Sequence, residues 1–172
     1  MQKMMILAAA VWLLSSCLGG GVPQVLSYDD DLPNGKRSIA GASEIIEFTM
    51  PAGCSQVTGI MLHGSRYGFP QAPNEDFTIT LAKRDGTQIH TELVPYSTFE
   101  RGSERWYTID FKKPVKVTGT FLVAVNFNAQ QTKGVYVSYD TGSGCQHSYV
   151  GSLRDMEPAT TGGEWMIRAV VR

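Results

Sequence analysis

The polar side chains best suited to chemistry gather just after the apolar triplet Ile60-Met61-Leu62. His63, Ser65, Arg66 and Tyr67 place an imidazole, a hydroxyl, a guanidinium and a phenol in one short segment. Glycine and proline residues interrupt the run, so the sequence predicts a loop that leaves a buried strand. Loops held on a rigid scaffold commonly carry binding and catalytic groups.

Hydrolysis at this loop would need a nucleophile, a base and a group that orients the base. His63 and Ser65 project to the same side of a strand, but the Gly-x-Ser-x-Gly turn of serine hydrolases is absent. His90 and His147 are too far along the chain to form a local metal-ligand pair with His63. We therefore predict no catalytic residue.

Hard oxygen ligands gather at Asp29, Asp30, Asp31 and Asn34, and such oxygens are what Ca²⁺ prefers. A proline inside the segment and the lack of a glutamate at the required offset break the EF-hand pattern. Two interpretations stay open, a structural calcium site and a solvated acidic turn. No other cofactor is predicted.

A glycan site needs aromatic rings that stack on sugars and planar polar groups that bind hydroxyls. The alternative for the same side chains is structural, with the arginines pairing with nearby carboxylates to hold the loops. The predicted ligand-binding residues are His63, Arg66, Tyr67, Phe69, Tyr96, Glu100, Arg101, Trp106, Tyr139 and Asp140.

The elements that position these side chains are short strands. Apolar and polar residues alternate with a period of two through most of the chain, and no long segment after the first residues shows helical periodicity. The fold class predicted is all-β: an antiparallel β-sandwich of eight or nine strands with jelly-roll or Greek-key connections. The predicted strands span residues 44–50, 55–63, 76–83, 88–94, 105–111, 115–118, 120–127, 134–140 and 164–172.

Composition limits the partners. The 172 residues suggest one domain with a real core, since 42% are hydrophobic. The formal net charge is -1 and no run of lysine and arginine occurs, so nucleic acid is a poor candidate partner.

The chain begins with an apolar run over residues 4–14 that is too short for a transmembrane helix and of signal-peptide length. The following Leu14-Ser15-Ser16-Cys17 resembles the lipobox of bacterial lipoproteins, which implies a diacylglyceryl group on Cys17 and a place in the cell envelope. Leu18, where aspartate would favour inner-membrane retention, implies the outer membrane if the source has two membranes. The alternatives are an ordinary signal peptide and a retained membrane anchor.

The expected organisation is a signal peptide over residues 1–16, a lipidated cysteine and flexible tether over 17–27, and one domain over 28–172. Export to an oxidising compartment would leave Cys54 and Cys145 as an even pair. We predict a disulfide between them. The alternative is two separate buried thiols.

Several short segments together resemble an uncharacterised bacterial β-sandwich module, over about residues 29–172. That module is similar in outline to galactose-binding-like sandwiches, and the resemblance implies a fold but no activity. The segments are 35–41, 63–68, 75–77, 95–97, 99–102, 132–135 and 165–168.

These observations favour a lipid-anchored, non-catalytic envelope module that recognises a glycan or an envelope protein through the strand-end loops 63–69 and 96–101. The alternative is a structural or assembly lipoprotein that docks a protein partner. An envelope hydrolase is the weakest hypothesis. A concave cleft beside Tyr67 and Trp106 would favour a small ligand, and a flat apolar patch would favour protein docking.

Overall fold

The computed structural model describes residues 22–142 and 144–172, which form two antiparallel sheets packed face to face. The predicted all-β sandwich is confirmed. Strands that are neighbours in a sheet are mostly not consecutive in sequence, as Greek-key connections require. The strands are β1 (Gln24–Leu26), β2 (Gly35–Arg37), β3 (Ser43–Thr49), β4 (Gln56–Gly68), β5 (Asp76–Lys83), β6 (Gln88–Pro95), β7 (Arg105–Lys116), β8 (Thr120–Asn126), β9 (Lys133–Asp140), β10 (Ser148–Ser152), β11 (Asp155–Pro158), β12 (Glu164–Trp165) and β13 (Ile167–Val171).

Sheet 1 has the order β1-β13-β4-β9-β12, with β2 paired to β9 and β7 paired to β4. Sheet 2 has the order β11-β10-β3-β8-β5-β6. The long strand β4 is central, because its first half lies between β13 and β7 and its second half pairs with β9. In the described part of the chain, no helix is long and apolar enough to cross a membrane.

The core lies between the sheets and follows from the alternation in sequence. On β5, Phe77, Ile79 and Leu81 point inward and are fully buried, while Thr78 and Thr80 point outward. Each such apolar side chain contributes about 1.5–3 kcal/mol by leaving water. Strand β8 is buried on both faces, because its outer residues join a second small apolar cluster with β3 and β5.

The described residues form thirteen strands rather than eight or nine, and the structure differs from the predicted strands in several places. Strand β4 continues to Gly68, although residues 64–68 were predicted to be a loop, because β9 pairs with this part of β4. Gly68 has a φ of 87°, and a Cβ there would lie 1.8 Å from the carbonyl oxygen of Thr132. Residues 115–116 of the predicted edge strand 115–118 belong to β7, and β1, β2, β10 and β11 lie in segments where no strand was predicted.

The predicted disulfide is wrong, since Cys54 and Cys145 are both free thiols. Cys54 closes a turn after β3, and its N–H donates to the carbonyl of Pro51. The sulfur of Cys145 instead lies 3.4 Å from the carbonyl oxygen of Ala159 and 3.6 Å from that of Ser148. The alternative of two separate, partly buried thiols is the one that the structure supports. The predicted signal peptide and Cys17 lie outside the described residues.

Candidate functional site

The polar residues of β4 split between the two faces of sheet 1. His63, Ser65 and Tyr67 point outward, and Arg66 points into the sandwich. The Nδ1 of His63 lies 2.8 Å from the Oγ of Ser138, a residue that is only 1% exposed. Burial, the largest effect, lowers the pKa of His63, so the imidazole is neutral at pH 7. This pair presents no accessible nucleophile.

Arg66 is a structural residue. Its side chain is almost completely buried, and its guanidinium donates to the carbonyl oxygens of Phe69 at 2.6 Å, Pro70 at 2.9 Å and Phe99 at 3.3 Å. Buried guanidinium groups need such partners, because an unpaired buried charge is costly. The structural alternative therefore holds for Arg66, although its partners are carbonyls rather than the predicted carboxylates.

Three further predicted ligand-binding residues are structural. Tyr96 is fully buried, its hydroxyl donates to the carbonyl of Phe127, and burial raises its pKa to about 12. Asp140 is 1% exposed and accepts the N–H of Asp30 at 2.9 Å. Tyr139 covers Gly35, where an added Cβ would lie 2.3 Å from the tyrosine hydroxyl oxygen.

Four of the predicted residues have solvent-accessible side chains at the distal loops. Glu100 pairs with Arg105 at 2.5 Å and Arg101 is exposed. Tyr67 is half-buried, and its hydroxyl donates to the carbonyl of Gln130 at 2.9 Å. Phe69 is 54% exposed and, with neighbouring prolines, forms an open apolar surface.

Trp106 is half-buried on the outer face of sheet 1 and its ring is occupied by protein. The guanidinium of Arg168 lies 3.9 Å from the ring centroid, and the ring of His63 meets it edge-on at 5.2 Å. The indole N–H donates to Oδ1 of Asp31 at 2.8 Å. The arrangement fixes the N-terminal arm, residues 27–37, across sheet 1, and Arg168 covers one face of the Trp106 ring.

The same contacts argue against the calcium site, which was one of the two interpretations that the sequence left open. The carboxylates of Asp29 and Asp31 bind Arg168, so this guanidinium supplies the positive charge that a cation would have supplied. Asp30 caps the N–H of Leu32 and Asn34 accepts the N–H of Thr141. Among the described residues, no group of three or more acidic, histidine or cysteine side chains is placed to hold a metal ion.

A cluster that sequence reasoning missed surrounds Glu164, which is 1% exposed. Its carboxylate accepts the N–H of Gln146 at 2.8 Å, the Oγ–H of Ser148 at 2.6 Å and faces the Nδ1 of His147 at 3.0 Å. Tyr28 stacks on His147 with centroids 3.7 Å apart. The nearby thiol of Cys145 has its pKa raised by burial, which is the opposite of what a cysteine nucleophile requires.

A concave surface lies elsewhere, on the outer face of sheet 2. It is a cleft of about 690 Å³, and none of the ten predicted ligand-binding residues lines it. We call it the threonine cleft. Its polar lining consists of Ser43, Thr78, Thr80, Thr87, Gln88, Asn126, Ser152 and Arg154.

The strand register builds the floor of the threonine cleft. Thr78 lies opposite Asn126 and Thr80 opposite Ala124, so short outward side chains adjoin across β5 and β8. The wall forms where two turns meet over the sheet, because an added Cβ on Gly86 would lie 2.7 Å from the carbonyl oxygen of Leu153. Asp85-Gly86 predicted the first turn, but no local pattern predicted that the β10–β11 turn packs on it.

The lining of the threonine cleft determines what it can do. It presents hydroxyl, amide and guanidinium groups, and no aspartate, glutamate, histidine, cysteine or lysine among the described residues lines it. Such a surface can hydrogen-bond a polar ligand. It lacks the base that would activate a hydroxyl nucleophile.

Comparison with known proteins gives a likeness of fold. No family model and no curated protein sequence matches the chain. A crystal structure of the cysteine protease and lectin-like domains of Cwp84, a surface layer associated protein of Clostridium difficile, matches with a TM-score of 0.59 and 11% identity. The match covers 87% of this chain and 36% of that one.

A second structure, of the clostridial cysteine protease Cwp84 after propeptide cleavage, gives the same TM-score and identity and is covered over 40% of its length. The chain therefore spans well under half the length of these structures. At this identity the likeness concerns the fold alone.

Proposed function

We propose that this protein is a lipid-anchored, non-catalytic module of the bacterial cell envelope that binds a glycan in the threonine cleft. The observation that carries the proposal is the lining of that cleft, which is rich in hydroxyl and amide groups and, in the described part of the chain, contains no carboxylate, imidazole or thiol. Polar side chains converging in a concave surface are the usual means of orienting a small polar ligand.

The likeness of fold to Cwp84 also supports the proposal of an envelope binding module. That protein carries lectin-like domains and is associated with a surface layer, and its likeness of fold covers 87% of this chain. The site differs from the one predicted from sequence, because the loops at residues 63–69 and 96–101 mainly hold each other.

The lipobox-like Leu14-Ser15-Ser16-Cys17 supports anchoring at Cys17. The tether that would follow is short, since β1 begins at Gln24. An extended segment of this length spans roughly 20 Å. A domain attached in this way stays close to the bilayer, and Leu18 favours the outer membrane in a source with two membranes.

The test is a binding screen against bacterial and plant polysaccharides with the soluble protein from Leu18 onward, which retains both sheets and the whole core. Thr78→Tyr should fill the cleft and remove binding. Thr108→Tyr makes the same change on an exposed position of β7, outside the cleft, and should leave binding intact. If Thr78→Tyr and Thr108→Tyr bound the polysaccharide equally well, the binding site would lie outside the threonine cleft.

Protein docking is the second candidate, and the exposed ring of Phe69 favours it. Phe69 lies at the far end of β4, beside Pro70 and Pro73, on the apolar surface described above. A photo-crosslinking residue at position 69 should then capture one envelope protein in cells, whereas the same residue at exposed position 118 should not. The absence of a specific product at position 69 would remove this candidate.

A further inference from the structure

We propose that the threonine cleft selects acidic glycans, and that Arg154 is the residue that determines this specificity. The inference rests on the proposed glycan site and adds the chemical class of its ligand. The shared chemistry is an anionic substituent on a sugar, supplied by a carboxylate or by a sulfate.

The position of Arg154 is the first argument. It occupies the turn between β10 and β11, at the wall of the cleft. Its aliphatic stem packs over the facing turn, since an added Cβ on Gly86 would lie 2.9 Å from its Cγ. Arg154 is exposed, so its stem contacts the facing turn while its charged end is open to solvent at the wall of the cleft.

The charge around Arg154 is the second argument. Among the described residues its guanidinium has no ion-pair partner, and no carboxylate lines the cleft. The neighbouring Asp85 accepts the N–H of Thr87 at 2.9 Å and closes its own turn. By contrast, Arg84 on the same side of the sheet is paired with Glu47 at 2.5 Å and lies over the ring of Tyr149.

The hydrogen-bonding character of the floor is the third argument. The Oδ1 of Asn126 accepts the N–H of Asn128 at 2.8 Å, which leaves the amide nitrogen of Asn126 as a donor toward a ligand. With Arg154 and the amide of Gln88, the cleft therefore offers several N–H donors, one group of which is charged. An anion is the best acceptor for such donors, because charge-assisted hydrogen bonds are about twice as strong as neutral ones.

The test compares matched probes. Polygalacturonate carries a carboxylate on every sugar and its methyl ester has the same backbone without the charge; dextran sulfate and dextran form the second pair. Soluble protein should bind at least one acidic polymer about ten-fold or more tighter than its neutral partner, as expected for one charge-assisted contact. The pair that shows the difference identifies the anion.

Variants assign the effect to the site. Arg154→Gln should lower the affinity for the acidic polymer about ten-fold or more and so abolish the preference, and Arg154→Lys should keep part of it. Arg84→Gln changes the net charge by the same amount outside the cleft and should keep the preference. If Arg154→Gln and Arg84→Gln lost the preference for the acidic polymer equally, the effect would be one of general charge and the inference would be overturned.

The outcomes separate the two proposals. Equal binding of acidic and neutral partners, lost in Thr78→Tyr, would overturn acidic specificity while the glycan site stands. Binding of none of the four polymers, together with a negative polysaccharide screen, would contradict both.

Discussion

Glu44 lies on the inner face of β3 with no exposed surface, and its carboxyl group accepts the N–H of Ile39 at 3.1 Å. Its second oxygen has no partner among the residues that the structure describes. Burial is the largest effect and raises the pKa of Glu44 from the usual 4.5 to about 8. The carboxyl is therefore mostly protonated at neutral pH, as expected where ionisation would leave an unpaired charge in the core.

The raised pKa predicts the direction in which stability changes with pH. The folded protein holds this proton more tightly than the unfolded chain does, so the free energy of unfolding falls as pH rises from about 4.5 to about 8. Glutamine cannot ionise, so Glu44→Gln should abolish this fall in the free energy of unfolding. Since one pKa unit corresponds to about 1.4 kcal/mol, the variant should be more stable than the wild type by a few kcal/mol at pH 9 and by little at pH 4.5. Urea unfolding at several pH values measures it.

Glu157→Gln, at an exposed position of β11, is the control and should show no such pH dependence. A stabilisation of Glu44→Gln that is the same at pH 4.5 and pH 9 would contradict the buried, protonated carboxyl.

Arg66 offers a second prediction at this scale. Arg66→Lys removes the planar guanidinium that contacts three loop carbonyls, and a lysine cannot reach them all. The expected loss is about 2–3 kcal/mol in the free energy of unfolding. Arg101→Lys, at an exposed position of the adjoining loop, should change it by less than about 0.5 kcal/mol. If the two variants were equally stable, the structural role of Arg66 would be wrong.

At the scale of elements, the most buried ion pair of the N-terminal arm joins Asp29 to Arg168. The side chain of Asp29 is fully buried and that of Arg168 is 15% exposed, and Arg168 in turn lies on the ring of Trp106. Asp29→Asn keeps the shape but removes the charge, so it should weaken the docking of the arm to sheet 1 by about 1–3 kcal/mol.

Hydrogen exchange detects this change locally. In Asp29→Asn, the amides of residues 28–37 should exchange faster, while those of β4 should keep their protection. Asp110→Asn, at an exposed position of β7, should leave both unchanged. Unchanged exchange in the arm of Asp29→Asn would show that other contacts hold it.

The elements themselves followed from sequence where alternation was strong, as in β5, whose inward residues are all buried. Where an element depends on pairing with a strand that is far away in sequence, the local sequence pattern did not predict it. Strand β4 extends past residue 63 because β9 adds to it, and the acidic arm binds Arg168 instead of calcium because β13 brings that arginine across from it.

The site was harder to predict than the fold for the same reason. The ten predicted residues were chosen as polar and aromatic side chains near strand ends, and Arg66, Tyr96 and Asp140 have the burial of structural residues. The threonine cleft needs a register between β5 and β8 and a contact between two turns, neither of which a single segment encodes.

At the scale of the whole molecule, the proposal places a sandwich close to a membrane through Cys17. Cys17→Ala in the full chain should abolish labelling by a fatty-acid probe and move the protein from the membrane fraction to the soluble fraction. Cys54→Ala and Cys145→Ala are the controls, because they remove the other two sulfurs, and both should leave the labelling intact. Membrane association that is unchanged in Cys17→Ala would contradict the lipid anchor.

The central claim is that the threonine cleft binds a glycan. The most direct measurement is a calorimetric titration of the strongest polysaccharide from the screen into the soluble protein, its Thr78→Tyr variant and its Thr108→Tyr variant. We expect saturable binding that Thr78→Tyr weakens by about 100-fold or more, because a filled cleft loses several hydrogen bonds, and that Thr108→Tyr leaves unchanged. Full affinity in a folded Thr78→Tyr variant would contradict it.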